Sequence, residues 1–132
     1  MTSPPAKPRY AAAIIERADN HILIAAPADA GTARTWIFPR GLGQPTESAE
    51  AAMRRIARDQ LGLFVELVIG QPPFLVDIDG VPSEIRYFFC GVAGGDPRPG
   101  PYSEIRWVQR AQLREFAFDE PSRAVVEWLL FA

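Results

Sequence analysis

One helical period stands out in a chain that otherwise alternates like β-strands. Met53, Ala57 and Leu61 fall at i, i+4 and i+8, and Ala49, Ala52 and Ile56 lie beside that line. The stripe is apolar on one side of a helix only, so it must be buried against another element. The spacing predicts a helix from near Glu47 to Leu61, capped by Thr46 and closed by Gly62. Glu47 and Glu50 suit the positive end of its dipole. A Gly-rich loop, 40–45, leads into it.

Strand-like runs flank this helix. Tyr10–Glu16 and His21–Ala26 enclose Arg17–Asn20, whose Asp-Asn pair predicts a hairpin turn. Residues 27–35 read as a loop, and Trp36–Phe38 as a short strand stopped by Pro39. Strands are also expected at Phe64–Ile69, Phe74–Ile78, Ile85–Val92 and Glu104–Val108, with a turn at Asp79-Gly80. A short helix is expected over Ala111–Phe116. A second amphipathic helix spans Ser122–Phe131, with Val125, Val126, Leu129 and Leu130 on its apolar side. The order predicts an α/β sandwich around a mixed sheet.

The length of 132 residues fits one domain with a real core. Residues 1–8 are Ser/Pro-rich, offer nothing to bury and are expected to be a disordered tail ahead of a single domain over 9–132. A net charge of -2 argues against bulk nucleic-acid binding. No apolar run is long enough to span a bilayer, and the N-terminus lacks the apolar region of a signal peptide. A cytoplasmic location is the default. Cys90 and His21 are the single cysteine and histidine, too few for a zinc site. Lys7 is the only lysine, which removes P-loop and Schiff-base chemistry from the body of the chain.

The chemistry is expected at Trp36–Leu63. A Gly-rich loop entering a helix offers free backbone N–H groups to phosphate, and it also serves as an ordinary strand-to-helix connection. The same stretch resembles the box of the Nudix hydrolases, G-x5-E-x7-R-E-U-x-E-E-x-G-U, with U aliphatic. Without a gap, Gly41, Glu47, Arg55, Gly62 and Leu63 take the matching positions. Trp36-x-Phe38-Pro39-Arg40-Gly41 resembles the family's lead-in. Glu104-Ile105-Arg106-Trp107-Val108 resembles its E-x-x-W-V strand, and Ala111-Gln112-Leu113 the short helix after it. The resemblance implies a Nudix-like α/β/α sandwich with a mixed sheet.

The likeness breaks where the family carries R-E-U-x-E-E. Here those positions read Arg55, Ile56, Ala57, Arg58, Asp59, Gln60. Three glutamates there would share a helix face and cage divalent metal. Isoleucine cannot bind a hard cation, and glutamine offers only a neutral carbonyl. By resemblance the catalytic set is Glu47, Arg55, Asp59 and Glu104, with Asp59 and Glu104 as the surviving candidate ligands of a weak Mg2+ or Mn2+ site. Arg40, Gly41 and Arg58 are the candidate substrate contacts.

Each of these residues also has a structural reading. Glu47 complements the helix dipole, Arg55 pairs with a carboxylate, and Asp59 is a solvated helix acid. Glu104 is a strand-edge acid paired with Arg106 or Arg86, and Arg40, Arg54 and Arg58 form a solvated basic face. Trp36, Tyr87, Phe88 and Phe89 either stack a base or fill the core.

Two functions follow. One is a divergent Nudix protein whose pyrophosphohydrolase activity is weak or lost, binding a nucleotide-type small molecule or a protein partner. The other is an active hydrolase, on dinucleoside polyphosphates or ADP-ribose, using a reduced metal site. The oligomeric state is left open, a dimer included.

Overall fold

The computed structural model describes residues 7–28 and 34–131, so residues 1–6 of the expected tail and much of the expected loop over 27–35 lie outside the described residues. The elements run β1 (Arg9–Glu16), β2 (His21–Pro27), β3 (Arg40–Leu42), α1 (Ala49–Leu61), β4 (Phe64–Gly70), β5 (Phe74–Ile78), β6 (Val81–Gly94) and β7 (Tyr102–Gln109). A 3-10 turn follows over Arg110–Glu115, then α2 (Glu120–Phe131). The seven-stranded sheet has the path β4-β6-β1-β2-β7, with β3 beside β1 and β5 beside β6. It is mixed, because β1 runs parallel to β6 from Arg9↔Glu84 to Glu16↔Gly91 while the other pairs are antiparallel.

The alternation of β1 explains why both faces must be covered. Ala11, Ala13 and Ile15 pack beneath α1 with Met53, Ile56, Ala57, Leu61, Phe88 and Cys90. Ala12 and Ile14 point the other way, to Phe38, Tyr87, Phe118, Val125 and Leu129 under α2. A strand buried on both faces carries no polar side chain in its middle, as Ala11–Ile15 illustrates. The layers are therefore helix, sheet, helix, as expected.

Three boundaries differ from the sequence reading. The cap of α1 is Ser48 rather than Thr46, since Ser48 Oγ accepts from the Ala51 N–H at 3.1 Å. Trp36 and Ile37 make only isolated bridges, to Phe118 and Ala25, and the paired strand begins at Arg40, past Pro39. The expected helix at 111–116 is a 3-10 turn. Asn20, Asp79 and Gly80 have positive φ, which the two expected turns require. Among the described residues, no helix is long and apolar enough to cross a membrane.

Candidate functional site

The loop into α1 is fixed first by charge. Arg55 donates to both oxygens of Glu47, at 2.8 and 3.0 Å, and to the Leu42 carbonyl at 2.9 Å. Glu47 also accepts from the Gln44 N–H at 3.1 Å. The fork of Arg55 thus ties one turn of helix to the loop ahead of it. Glu47 lies just outside the helix, so it serves as an anchor rather than as a first-turn acid. Its bonds to Arg55 hold its carboxyl below the usual carboxylate range, and they raise the Arg55 guanidinium in turn.

A sign follows for pH. Glu47 is depressed in the folded state, so its contribution is complete above the unfolded value of about 4.3 and fades as pH falls through the folded one. Glu47→Gln is expected to lower stability at pH 7 and to flatten the acid limb of a urea-midpoint profile below about pH 5. An unchanged acid limb would show that the pair contributes nothing.

The next turn of α1 faces the sheet. Ile56 is 2% exposed, and its Cδ1 would lie 3.1 Å from a Cβ at Gly41. Gly41 is thus a close-approach position, where the backbone of β3 rests on the isoleucine. One turn on, Gln60 Nε2 donates to the Arg40 carbonyl at 3.0 Å, and Gln60 Oε1 accepts from Tyr102 Oη at 2.6 Å. Tyr102 Oη in turn accepts from the Arg40 N–H at 3.2 Å. This closes a neutral network between α1, β3 and β7. Burial pushes the Tyr102 phenol above its usual range.

Tyr102→Phe leaves the Arg40 N–H and Gln60 Oε1 without this partner. A loss of about 1–3 kcal/mol is expected in chemical denaturation. A loss under about 0.5 kcal/mol would mean that water replaces the hydroxyl freely.

The other predicted residues are placed elsewhere. Asp59 and Arg58 are exposed and pair with each other at 3.1 Å. Glu104 does not share their face. On β7, Ile105 and Trp107 pack against the α1-side cluster, while Glu104 and Arg106 alternate to the other side. There Arg34 and Arg106 both pair with Glu104, and both guanidinia sit over the Trp36 ring, at 5.9 and 5.4 Å. Asp59 and Glu104, the two acids expected to share a metal, therefore stand on opposite faces of the sheet. Among the described residues, no three His, Cys, Asp or Glu side chains gather in a way that could hold a metal ion.

Arg40 contributes its backbone to the α1 side and its side chain to the other. Nη1 lies 2.7 Å from Asp119 Oδ2, a contact of charge rather than an aligned hydrogen bond. Asp119 also accepts from the Ser122 N–H at 3.1 Å, at the start of α2. Arg54 is taken by the Val65 carbonyl at 2.8 Å and by Glu50. Among the candidate aromatics, Trp36, Tyr87 and Phe88 are buried; Tyr87 stacks on Phe74 and meets Phe38 edge-on. Phe89 is half-buried and meets Trp128 edge-on.

Sequence reasoning missed Tyr102 and Asp119. Tyr102 begins the E-x-x-W-V strand, and its only local signal is a polar aromatic after a Pro/Gly loop. Asp119 sits just ahead of Glu120-Pro121, a helix-start signal that could have marked it as a cap.

Known proteins agree with this architecture. A MutT structure from work on Aliivibrio salmonicida and Vibrio cholerae is 26% identical, with 96% of this chain and 98% of that chain covered and a TM-score of 0.71. A NUDIX hydrolase from Nitrosomonas europaea is 19% identical over 96% and 89%, with a TM-score of 0.79. An Ap4A hydrolase from C. elegans is 14% identical over 91% and 93%, with a TM-score of 0.74. No curated protein matches the chain. The model of the NUDIX domain matches residues 6–129, and the chain belongs to that family.

Proposed function

We propose that this NUDIX domain binds a nucleotide-type ligand and hydrolyses phosphoanhydrides weakly or not at all. One observation carries the reading: two of the three positions where the family pattern has metal-binding glutamates are used for packing. Ile56 is buried against the backbone of β3 at Gly41, and the Gln60 amide is bonded to Arg40 and Tyr102. The donor set does not fit a divalent ion. Hard cations need several anionic oxygens directed at one point, and Asp59 supplies the only carboxylate on that face of α1. The Arg40 carbonyl already accepts the Gln60 amide. The ligand class comes from the relatives, a MutT protein and an Ap4A hydrolase by name.

The test is product formation at high protein concentration, followed by chromatography. Dinucleoside polyphosphates, ADP-ribose, NADH, nucleoside triphosphates and nucleotide sugars are each offered with magnesium, manganese or chelator. Folded protein is expected to give little or no metal-dependent product. Turnover that needs metal and disappears in Asp59→Ala would establish the other reading, a hydrolase working with a reduced site.

A further inference from the structure

We propose that a second pocket, beyond the N-terminal end of α1 and separate from the Ile56–Gln60 region, binds a small organic anion: a phosphate or carboxylate on a compact apolar body. The cavity encloses about 620 Å³ between the start of β1, the loop ahead of α1 and the start of β6. That is the size of small-molecule sites. Tyr10, Leu42, Pro45 and Pro73 give it apolar walls, and Lys7, Arg9 and Arg86 stand around it.

The charges do not cancel within the pocket. Of its two acids, Glu47 is saturated by Arg55 and the Gln44 N–H, and Glu84 pairs with Arg9 at 3.5 Å, its one ion pair among the described residues. Arg86 is the informative group. Its Nε donates to the Gln71 carbonyl at 2.8 Å, and its guanidinium lies 4.8 Å from the Phe88 ring centroid. Gly70 leaves the room it needs, since a Cβ there would meet Arg86 Nη2 at 3.0 Å. The guanidinium is therefore held in place on two sides, yet among the described residues no carboxylate pairs with it. A planar fork already ordered and lacking an acid is suited to an oxyanion, because little side-chain entropy is left to lose on binding. Ala49 and Ala52 of α1 form another wall, so the positive end of the helix adds to the same field.

The experiment is an amide-resolved NMR titration of the full chain with phenyl phosphate and with benzoate, and with phenol as the neutral control. Saturable shifts are expected at Arg9, Gly43 and Ala49 with at least one anion and not with phenol. The anion that saturates identifies phosphate or carboxylate as the head group. Arg86→Gln should weaken binding by about tenfold or more. Arg86→Lys should restore part of it. Arg9→Gln changes an exposed side chain and leaves the fold alone, so it remains informative if Arg86→Gln does not fold; a loss of about threefold or more is expected. The proposal is overturned if neither anion saturates by about 10 mM, if phenol binds as well, or if folded charge variants bind like the wild type.

Discussion

Gly100→Ala is expected to destabilise the domain by about 4 kcal/mol or more, enough to leave much of it unfolded at 37 °C. The residue has φ +54°, which alone costs an alanine only about 1–2 kcal/mol. Most of the loss comes from collision. A Cβ at Gly100 would lie 1.8 Å from the Gln60 carbonyl oxygen, so the segment 95–101 could not rest on the end of α1. Gly95 is in the same position against the Gly62 carbonyl, at 2.2 Å and φ +92°. Between them the Arg98 N–H donates to the Leu61 carbonyl at 2.9 Å, closing one of the open carbonyls of the helix end. Gly80→Ala is the control. It has φ +79° but nothing within 4 Å of the added carbon, and about 1 kcal/mol is expected. Urea unfolding of the Gly80, Gly95 and Gly100 variants separates strain from collision. Equal losses at Gly80 and Gly100 would contradict the docking of this loop on α1.

The second large effect concerns the box itself. Ile56→Glu with Gln60→Glu places two carboxylates where the structure has a buried methyl group and a committed amide. Without metal, the variant is expected to lose about 3–5 kcal/mol, the cost of burying charge without a partner. With Asp59 it would have the three acids of the family pattern, so magnesium should return stability by linkage. At a hundred times its Kd the ion restores about 2.7 kcal/mol, a rise in Tm of about 5–10 °C for a chain of this size. The wild type is expected to show no such rise. A double variant that folds but ignores magnesium would mean that the alignment of the helix, or the cause assigned to the defect, is wrong.

Much of the fold could be read from local pattern. Helix α1 is marked by its apolar stripe, and all five buried positions, Ala52, Met53, Ile56, Ala57 and Leu61, belong to the predicted face. The shift from the expected strand at Trp36–Phe38 to the paired one at Arg40–Leu42 has a different origin. Aromatic and β-branched residues mark burial, and Trp36–Phe38 are buried, but pairing depends on which backbone lies alongside β1. Likewise Thr46 and Ser48 are both cap-forming residue types, Ser the better of the two, and the path of the loop around Glu47 places Ser48 at the helix start.

The residue types at the candidate site were legible in the sequence, and their contacts were not. That Ile56 and Gln60 are poor metal ligands follows from their chemistry. That Gln60 reaches Tyr102 follows from strand β7 folding back 42 residues later, which no local signal encodes. Glu104 illustrates the same limit. Tyr102, Ile105 and Trp107 share the α1 side because the pairing of β7 with β2 shifts register between Tyr102 and Glu104, and this irregularity, which the E-x-x-W-V pattern does not encode, turns Glu104 to the other face.

The proposal that α1 no longer holds a divalent metal is tested most directly by titrating the wild-type chain with Mn2+ and following the free-ion signal by electron paramagnetic resonance. The free signal is expected to match that of buffer alone up to millimolar manganese. Loss of one equivalent of signal at sub-millimolar manganese, reversed by Asp59→Ala, would contradict this, because a site of that affinity needs the oxygen ligands that Ile56 and Gln60 do not supply.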